Sequence, residues 1–309
     1  MGGCCSARLQ RRMQGVLISA DRYKVLYAGS AGALSILPLQ ALCEAGFCPC
    51  AVIVDAGSEA SVQRGSLPVV TEGGDTLAAH ALANELPLLR LSPDAHEAAG
   101  QISRYAADLV IVSCFARRLP ETVRLVPRLG CFNLHPSRLP AFRGPSPVFW
   151  QFHEGVNPMG MTLHRMSAQL DAGNIVAQTA VTMEDGISLQ QAGQLLAEAG
   201  GRLLVEALSR YGRAEWSGCA QQEGESSYQG FPAPADYTVS TDWPARRLFN
   251  FMRATRGQGR LYPCRVAGRL FRLVEAVGFQ ANGTSRFCVQ GDRLVLPCRP
   301  GFVRARFLP

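Results

Sequence analysis

The chain has 309 residues, 47% hydrophobic and 18% charged, with 31 glycines and 19 prolines, which is ample material for a packed core and for two domains. No stretch reaches the roughly 18 apolar residues of a membrane span: the longest candidate, 106 to 116, is strand-sized and broken by Asp108, which excludes a transmembrane protein. The net charge of +7 is uneven, because residues 237–309 hold 13 arginines and no lysine against Asp242, Glu275 and Asp292, a net +10 that leaves −3 for the rest; the last quarter is the part suited to a polyanion, or to a solvated basic face.

In chain order, residues 1–22 read as a flexible leader. Its MGGCCS start fits a lipidation pattern, with Gly2 and Ser6 flanking two cysteines, but it lacks the apolar core of a secretory signal. From Tyr23 the pattern becomes regular. YKVLYAGS is a short buried strand, AGALSILPLQALCEAG a helix closed by Gly46, and CPCAVIVD a second buried strand. An Ala-rich helix around Asp75 to Asn84, the apolar piece LPLLRLS, a helix from Ala95 to Ala106 and the strand DLVIVSCF follow. Strands alternating with helices predict an α/β domain built on an open, Rossmann-like parallel sheet. The first turn, Gly29 to Gly32, lacks the GxGxxG spacing, so a nicotinamide oxidoreductase is a rival reading resting mainly on Asp55 after the second strand.

Residues 159–183 read as two strands joined by a polar turn, followed by an amphipathic helix from Ser188 to about Tyr211. CAQQEGESSYQGFPAPAD is polar and aperiodic and reads as a linker, which gives a catalytic domain over 23–212, a linker over 213–236 and a basic domain over 237–309. In the last, DWPARRLFNFMRAT predicts a helix with Asp242 as N-cap, and LYPCRVAG, RLFRLVEAVG, RFCVQGD and RLVLPCR predict short strands of a small barrel or sandwich. The eleven cysteines have no framework spacing and read as free thiols. Without a CxxC pair or HxxxH, no metal site is expected.

The stretch CFNLHPSRLPAFRGPSPVFWQFHEG carries the chemistry. On an extended segment Asn133 and His135 project to one side while Phe132 and Leu134 enter the core, so two hydrogen-bonding groups reach one point. Residues 136–147 are too rich in Pro and Gly for helix or strand and read as a rigid loop. Asp171 lies on the turn QLDAGN, 36 residues beyond His135. His153 and His164 have no motif partner and read as structural or surface residues.

Asn133-Leu-His135, the loop Ser137 to Gly144 and Leu170-Asp-Ala-Gly173, in that order and spacing, resemble the signature of the folate-dependent formyltransferases, with a two-domain layout similar to the methionyl-tRNA type. The resemblance implies 10-formyltetrahydrofolate as donor and a primary amine as acceptor, in a cytoplasmic enzyme. It implies Asn133, His135 and Asp171 as catalytic residues. Arg117, Arg118, Leu119, Ser137 and Gly173 would lie at the folate and Arg143 and Gly144 at the acceptor, and the C-terminal domain would be an OB-like barrel. The chemistry suits these groups. Attack by a neutral amine on the formyl carbon creates an oxyanion, which Asn133 can stabilise by donating its amide, and a proton, which His135 can move with Asp171 favouring the imidazolium. No metal is required.

The acceptor stays open. Methionyl-tRNA enzymes resemble one another in a long basic insertion after the second strand, whereas here Arg64 faces three acidic residues between Glu59 and Asp75. A nucleotide-linked amino sugar or a small hydroxylamine is the alternative acceptor, since an arginine cluster suits a diphosphate as well as tRNA. A non-catalytic RNA-binding module would keep the arginines but would not require Asn133, His135 and Asp171.

Overall fold

The structure, a computed structural model, describes residues 23–54 and 76–308. The expected leader with its MGGCCS start, Asp55 and the segment containing Arg64 lie outside the described residues. Strand β1 (Val25–Gly29) is buried at every position and pairs in parallel with β2 (Ala51–Val54) on one side and β4 (Leu109–Ser113) on the other. Beyond these, β3 (Leu88–Arg90) joins β2 and β5 (Gly130–His135) joins β4, again in parallel. The continuous apolar runs VLYAG, AVIV and LVIVS suit strands covered on both faces. Helices α1 (Ala33–Glu44), α2 (Leu77–Ala83) and α3 (Ala95–Ser103) lie between the strands, and the short α4 (Glu121–Arg124) precedes β5. Side-chain caps start two of them: Thr76 accepts from the Ala79 amide, and the Asp94 carboxylate accepts from those of His96 and Glu97.

The sheet is mixed rather than wholly parallel as expected. A parallel neighbour needs a crossover to the far end of the sheet. Residues 136–158, which include α5 (Pro147–His153), instead deliver the chain to the end at which β5 finishes. Strand β6 (Met159–Arg165) then runs antiparallel to β5, with His135 opposite Thr162 and Asn133 opposite His164. With β7 (Ile175–Val181) the order is β3-β2-β1-β4-β5-β6-β7. The long helix α6 (Leu189–Arg210) carries Gly200 and Gly201. A Cβ at Gly201 would lie 2.7 Å from Ala41 Cβ, so α6 approaches α1 at a distance only glycine allows.

The C-terminal region holds α7 (Ala245–Ala254) and five antiparallel strands, β8 (Tyr262–Val266), β9 (Arg269–Gln280), β10 (Cys288–Gln290), β11 (Arg293–Pro297) and β12 (Phe302–Leu308). Their order is β10-β11-β12-β9-β8, a sheet with β10 and β8 at its edges. Strand β12 was not among the expected elements. Helix α7 buries Leu248, Phe251 and Met252. Its N-cap position is Pro244, without a side-chain cap; Asp242, expected there, instead accepts from the Ser240 hydroxyl at 3.3 Å and pairs with Arg299 at 3.6 Å.

The fold divides into two compact units. One comprises the described residues up to His135 with Met161–Thr179 and Ala197–Ser226; the other comprises Pro136–Gly160, Ala180–Leu196 and the described residues from Ser227. No helix among the described residues is long and apolar enough to cross a membrane.

Candidate active site

Asn133 and His135 occupy alternate positions near the carboxyl end of β5, where open α/β sheets place their ligands. Their neighbours Phe132 and Leu134 are buried in the core as expected, and His135 itself is only 4% exposed. The antiparallel register sets a residue opposite Asn133 that sequence reasoning had assigned to structure or surface. His164 is only 1% exposed, and its Nε2 stands 3.2 Å from Asn133 Nδ2. The His164 Nδ1 lies 3.0 Å from the Arg165 carbonyl oxygen. That contact assigns the ring proton to Nδ1, which donates to the carbonyl, and leaves Nε2 to accept from the Asn133 amide. The amide is thereby held in one orientation with its second N–H unused by His164.

Asp171 lies beside both imidazoles. Its Oδ2 lies 3.7 Å from His135 Nδ1 and its Oδ1 lies 3.6 Å from His164 Nε2, with the carboxylate residue 8% exposed. The rings of His135 and His164 meet edge to face with centroids 6.2 Å apart. Asn133, His135 and Asp171, separated in sequence, are thus brought together, and His164 completes the cluster. The signal that could have found it is register: once β5 and β6 are known to pair, Asn133 faces His164.

Asp171 sits on a tight turn and has φ 54°, in the left-handed region that few residues other than glycine adopt, Asp and Asn among them. Gly173 lets the turn close, since a Cβ there would stand 1.8 Å from the Arg165 carbonyl oxygen. Arg118 donates to the Ala168 carbonyl and so tethers the same turn.

The other expected site residues are placed as follows. Arg117 donates to the carbonyls of Leu91, Ser92 and Pro93 at 3.1, 2.7 and 3.0 Å, which directs its side chain to the end of β3. Leu119 belongs to the core beneath the sheet. In the other unit, Ser137 donates to the Ala141 carbonyl at 2.8 Å, and the Arg143 amide donates to the Ser227 carbonyl at 2.9 Å. Gly144 has φ 112°, and a Cβ there would lie 2.1 Å from the Gln229 carbonyl oxygen. At the first turn, the Ser30 amide donates to Ser35 Oγ at 3.1 Å, and Ser35 Oγ donates to the Ser113 carbonyl at 2.8 Å. A pyrophosphate cradle depends on such turn amides facing the ligand, and here the Ser30 amide is taken by Ser35.

Residues 79–208 match the family model described as formyl transferase. Over 190 residues the chain is 32% identical to methionyl-tRNA formyltransferase of Synechococcus elongatus, covering 59% of this chain and 55% of the relative. To the enzyme of the same name from Bacteroides fragilis it is 34% identical over 179 residues, covering 56% and 55%. The chain therefore spans about half the length of the curated relatives it matches. Among solved structures, an N-formyltransferase from Helicobacter canadensis in complex with folinic acid and dTDP-3-aminofucose shares the fold at a TM-score of 0.64 and 16% identity, over 92% of this chain and 99% of that one. Methionyl-tRNA formyltransferase from Clostridium thermocellum does so at 0.50 and 11%, over 93% and 99%. Residues 79–208, less than half of the chain, are thus similar to the formyl transferase family.

Proposed function

We propose that the protein is a 10-formyltetrahydrofolate-dependent N-formyltransferase that moves the formyl group to a primary amine, with the architecture of the methionyl-tRNA enzymes. The observation that carries this reading is the single carboxylate of Asp171, 3.7 Å from His135 and 3.6 Å from His164, beside an Asn133 amide already oriented by His164. The amine attacks the formyl carbon, and the carbonyl oxygen becomes an oxyanion. Asn133 donates its remaining N–H to that oxygen. His135, with Nδ1 toward Asp171, presents Nε2 to the reacting groups; it donates to the oxyanion when protonated and carries the proton released by the new ammonium when neutral. Asp171 favours the imidazolium and orients it. On collapse of the intermediate the bond to the folate nitrogen breaks, and that nitrogen takes up a proton as tetrahydrofolate leaves.

In this proposal backbone groups of Arg117, Arg118 and Leu119, together with Ser137 and Gly173, serve the folate, while Arg143 and Gly144 serve the acceptor. Catalysis belongs to 23–212, the segment 213–236 links, and 237–309 is a basic, OB-like module. Its two register shifts between β12 and β9 support that last reading, because bulges of this kind curl a sheet. A cytoplasmic location accompanies the proposal.

The identity to methionyl-tRNA enzymes over the catalytic half and the 13 arginines of residues 237–309 support a tRNA acceptor. The likeness in fold to an enzyme solved with dTDP-3-aminofucose, at a TM-score of 0.64, supports a nucleotide-linked amino sugar as the second reading. The test is incubation of the protein and 10-formyltetrahydrofolate with aminoacylated tRNA and with a panel of nucleotide amino sugars and small hydroxylamines, weighing products for one formyl group in place of hydrogen. Formylation of tRNA that falls steeply with salt supports the first acceptor, and formylation of an amino sugar or hydroxylamine supports the second. Binding of RNA or of a nicotinamide dinucleotide with no formyl transfer to any amine would overturn both.

A further inference from the structure

We propose that Gln221 is a positioning residue that holds the Asp171 turn in its left-handed conformation, at the end of a strap formed by residues 215–221 after α6. The inference rests on the reading of Asp171 as the proton-handling carboxylate. Polarity and aperiodicity made this segment look like plain linker, yet it touches both halves of the candidate site. The Trp216 ring, 1% exposed, packs edge-on against Phe132, the residue before Asn133, at a centroid distance of 4.8 Å, and also against Tyr23 and Tyr211 at 5.9 and 6.1 Å. One end of the strap is thus fixed to β5, the strand that carries Asn133 and His135.

Its other end is fixed to the chain leaving the Asp171 turn. Asn174 Nδ2 donates to the Ser217 carbonyl at 2.9 Å, and Ile175 and Cys219 exchange two backbone hydrogen bonds of 2.8 Å. Gly218, at φ 63°, lets the strands approach, since a Cβ there would stand 2.6 Å from the Ile175 carbonyl oxygen. Two residues on, Gln221 Nε2 donates to the carbonyls of Asp171 and of Gly173, each at 2.7 Å. One amide group thereby pins the two peptide carbonyls at either end of the 172–173 segment. Asp171, whose own carbonyl is the first of the two, has φ 54°, a conformation that costs free energy in an isolated turn and persists where its surroundings over-determine it. Rotation of the backbone at Asp171 swings the carboxylate away from His135, and the hold on the Gly173 carbonyl fixes the far side of the turn. Gln221 supplies the two donors that oppose this rotation, without touching substrate.

The test compares Gln221→Met, which keeps the shape and removes both donors, with Gln221→Glu, which sets a carboxylate against the two carbonyls. Formyl transfer from 10-formyltetrahydrofolate to the acceptor found above is measured with each, beside wild type and Asp171→Asn, and thermal melting and circular dichroism report folding. Both Gln221 variants are expected to lower kcat about 10-fold or more with KM for the donor little changed, as for a displaced catalytic group. The ratio of Gln221→Glu to wild type should rise as pH falls, because a protonated Glu regains one donor, while the ratio for Gln221→Met stays flat. Joined to Asp171→Asn, Gln221→Met should cause little further loss. Wild-type kcat in both Gln221 variants, or equal and pH-independent losses that track melting temperature, would overturn the proposal while Asp171→Asn remains inactive. Near-normal turnover in Asp171→Asn would instead remove the reading on which it rests.

Discussion

Asn133 and His135 are placed by a strand, whereas Asp171 is placed by a turn, and the two supports ask different things of the sequence. On β5 the backbone is laddered on both sides, to Val112 of β4 and to His164 of β6 at the level of Asn133, so the direction of each side chain follows from the pleat whatever the residue is. The Asp171 turn has no such ladder. It depends on a left-handed residue, on Gly173 against the Arg165 carbonyl, on Arg118 at Ala168 and on Gln221 at two carbonyls. Strand-borne groups are therefore robust in position and exposed to loss only of their own chemistry, while the turn-borne carboxylate is vulnerable through residues that never meet the substrate.

The largest effect that sharpens this contrast is loss of the chemistry itself. Asn133→Ala and His135→Ala are expected to lower kcat about 10²- to 10⁴-fold with far-UV circular dichroism unchanged. Collapse of the fold in either would break the claim that the ladder, not the side chain, sets the strand. Next is Gly173→Ala. Its added methyl would lie 1.8 Å from the Arg165 carbonyl oxygen, so the turn must move. A loss of about 1–3 kcal/mol in stability and roughly 10²-fold in kcat is expected; unchanged kcat would show that Asp171 does not need this geometry.

A smaller effect tests the residue that the strand pairing revealed. His164→Ala should reduce kcat about 10-fold by freeing the Asn133 amide, and should add little once Asn133 is already Ala, a coupling that a double-mutant cycle measures. Additive losses would deny that His164 acts through Asn133. The smallest effect concerns two thiols, one on each support. Burial pushes the Cys131 thiol on β5 up to about 12, so it stays neutral at pH 8 and its thiolate, the reactive form, is scarce. Cys219, on the strap, is exposed. Iodoacetamide at pH 8 followed by mass spectrometry should label Cys219 and spare Cys131, and equal labelling would mean that β5 opens as readily as the strap.

The sequence makes the strand-borne half of the site legible and hides most of the rest. Alternation around Asn133 and His135 is a local property, and so are the buried runs of β1, β2 and β4. The role of His164 is not local, since it depends on β6 running antiparallel to β5, which only the return of residues 136–158 to the same end of the sheet decides. Trp216 and Gln221 were unreadable for a related reason: their partners lie far away in sequence, at Phe132 and at Asp171 and Gly173. Strand β12 does alternate, with Val303 and Ala305 buried, but its exposed arginines hid a period that was present. The N-cap expected at Asp242 failed because Pro244 takes that position and the carboxylate turns to Ser240 and Arg299.

The most direct test of the account is a crystal structure of the protein bound to 5-formyltetrahydrofolate, a stable isomer of the donor. The pterin is expected beside the Arg117–Leu119 turn, the formyl oxygen within hydrogen-bond reach of Asn133 Nδ2, and His135 Nε2 facing the same carbon. A folate seated elsewhere, with Asn133, His135 and Asp171 making no approach to its formyl group, would contradict it.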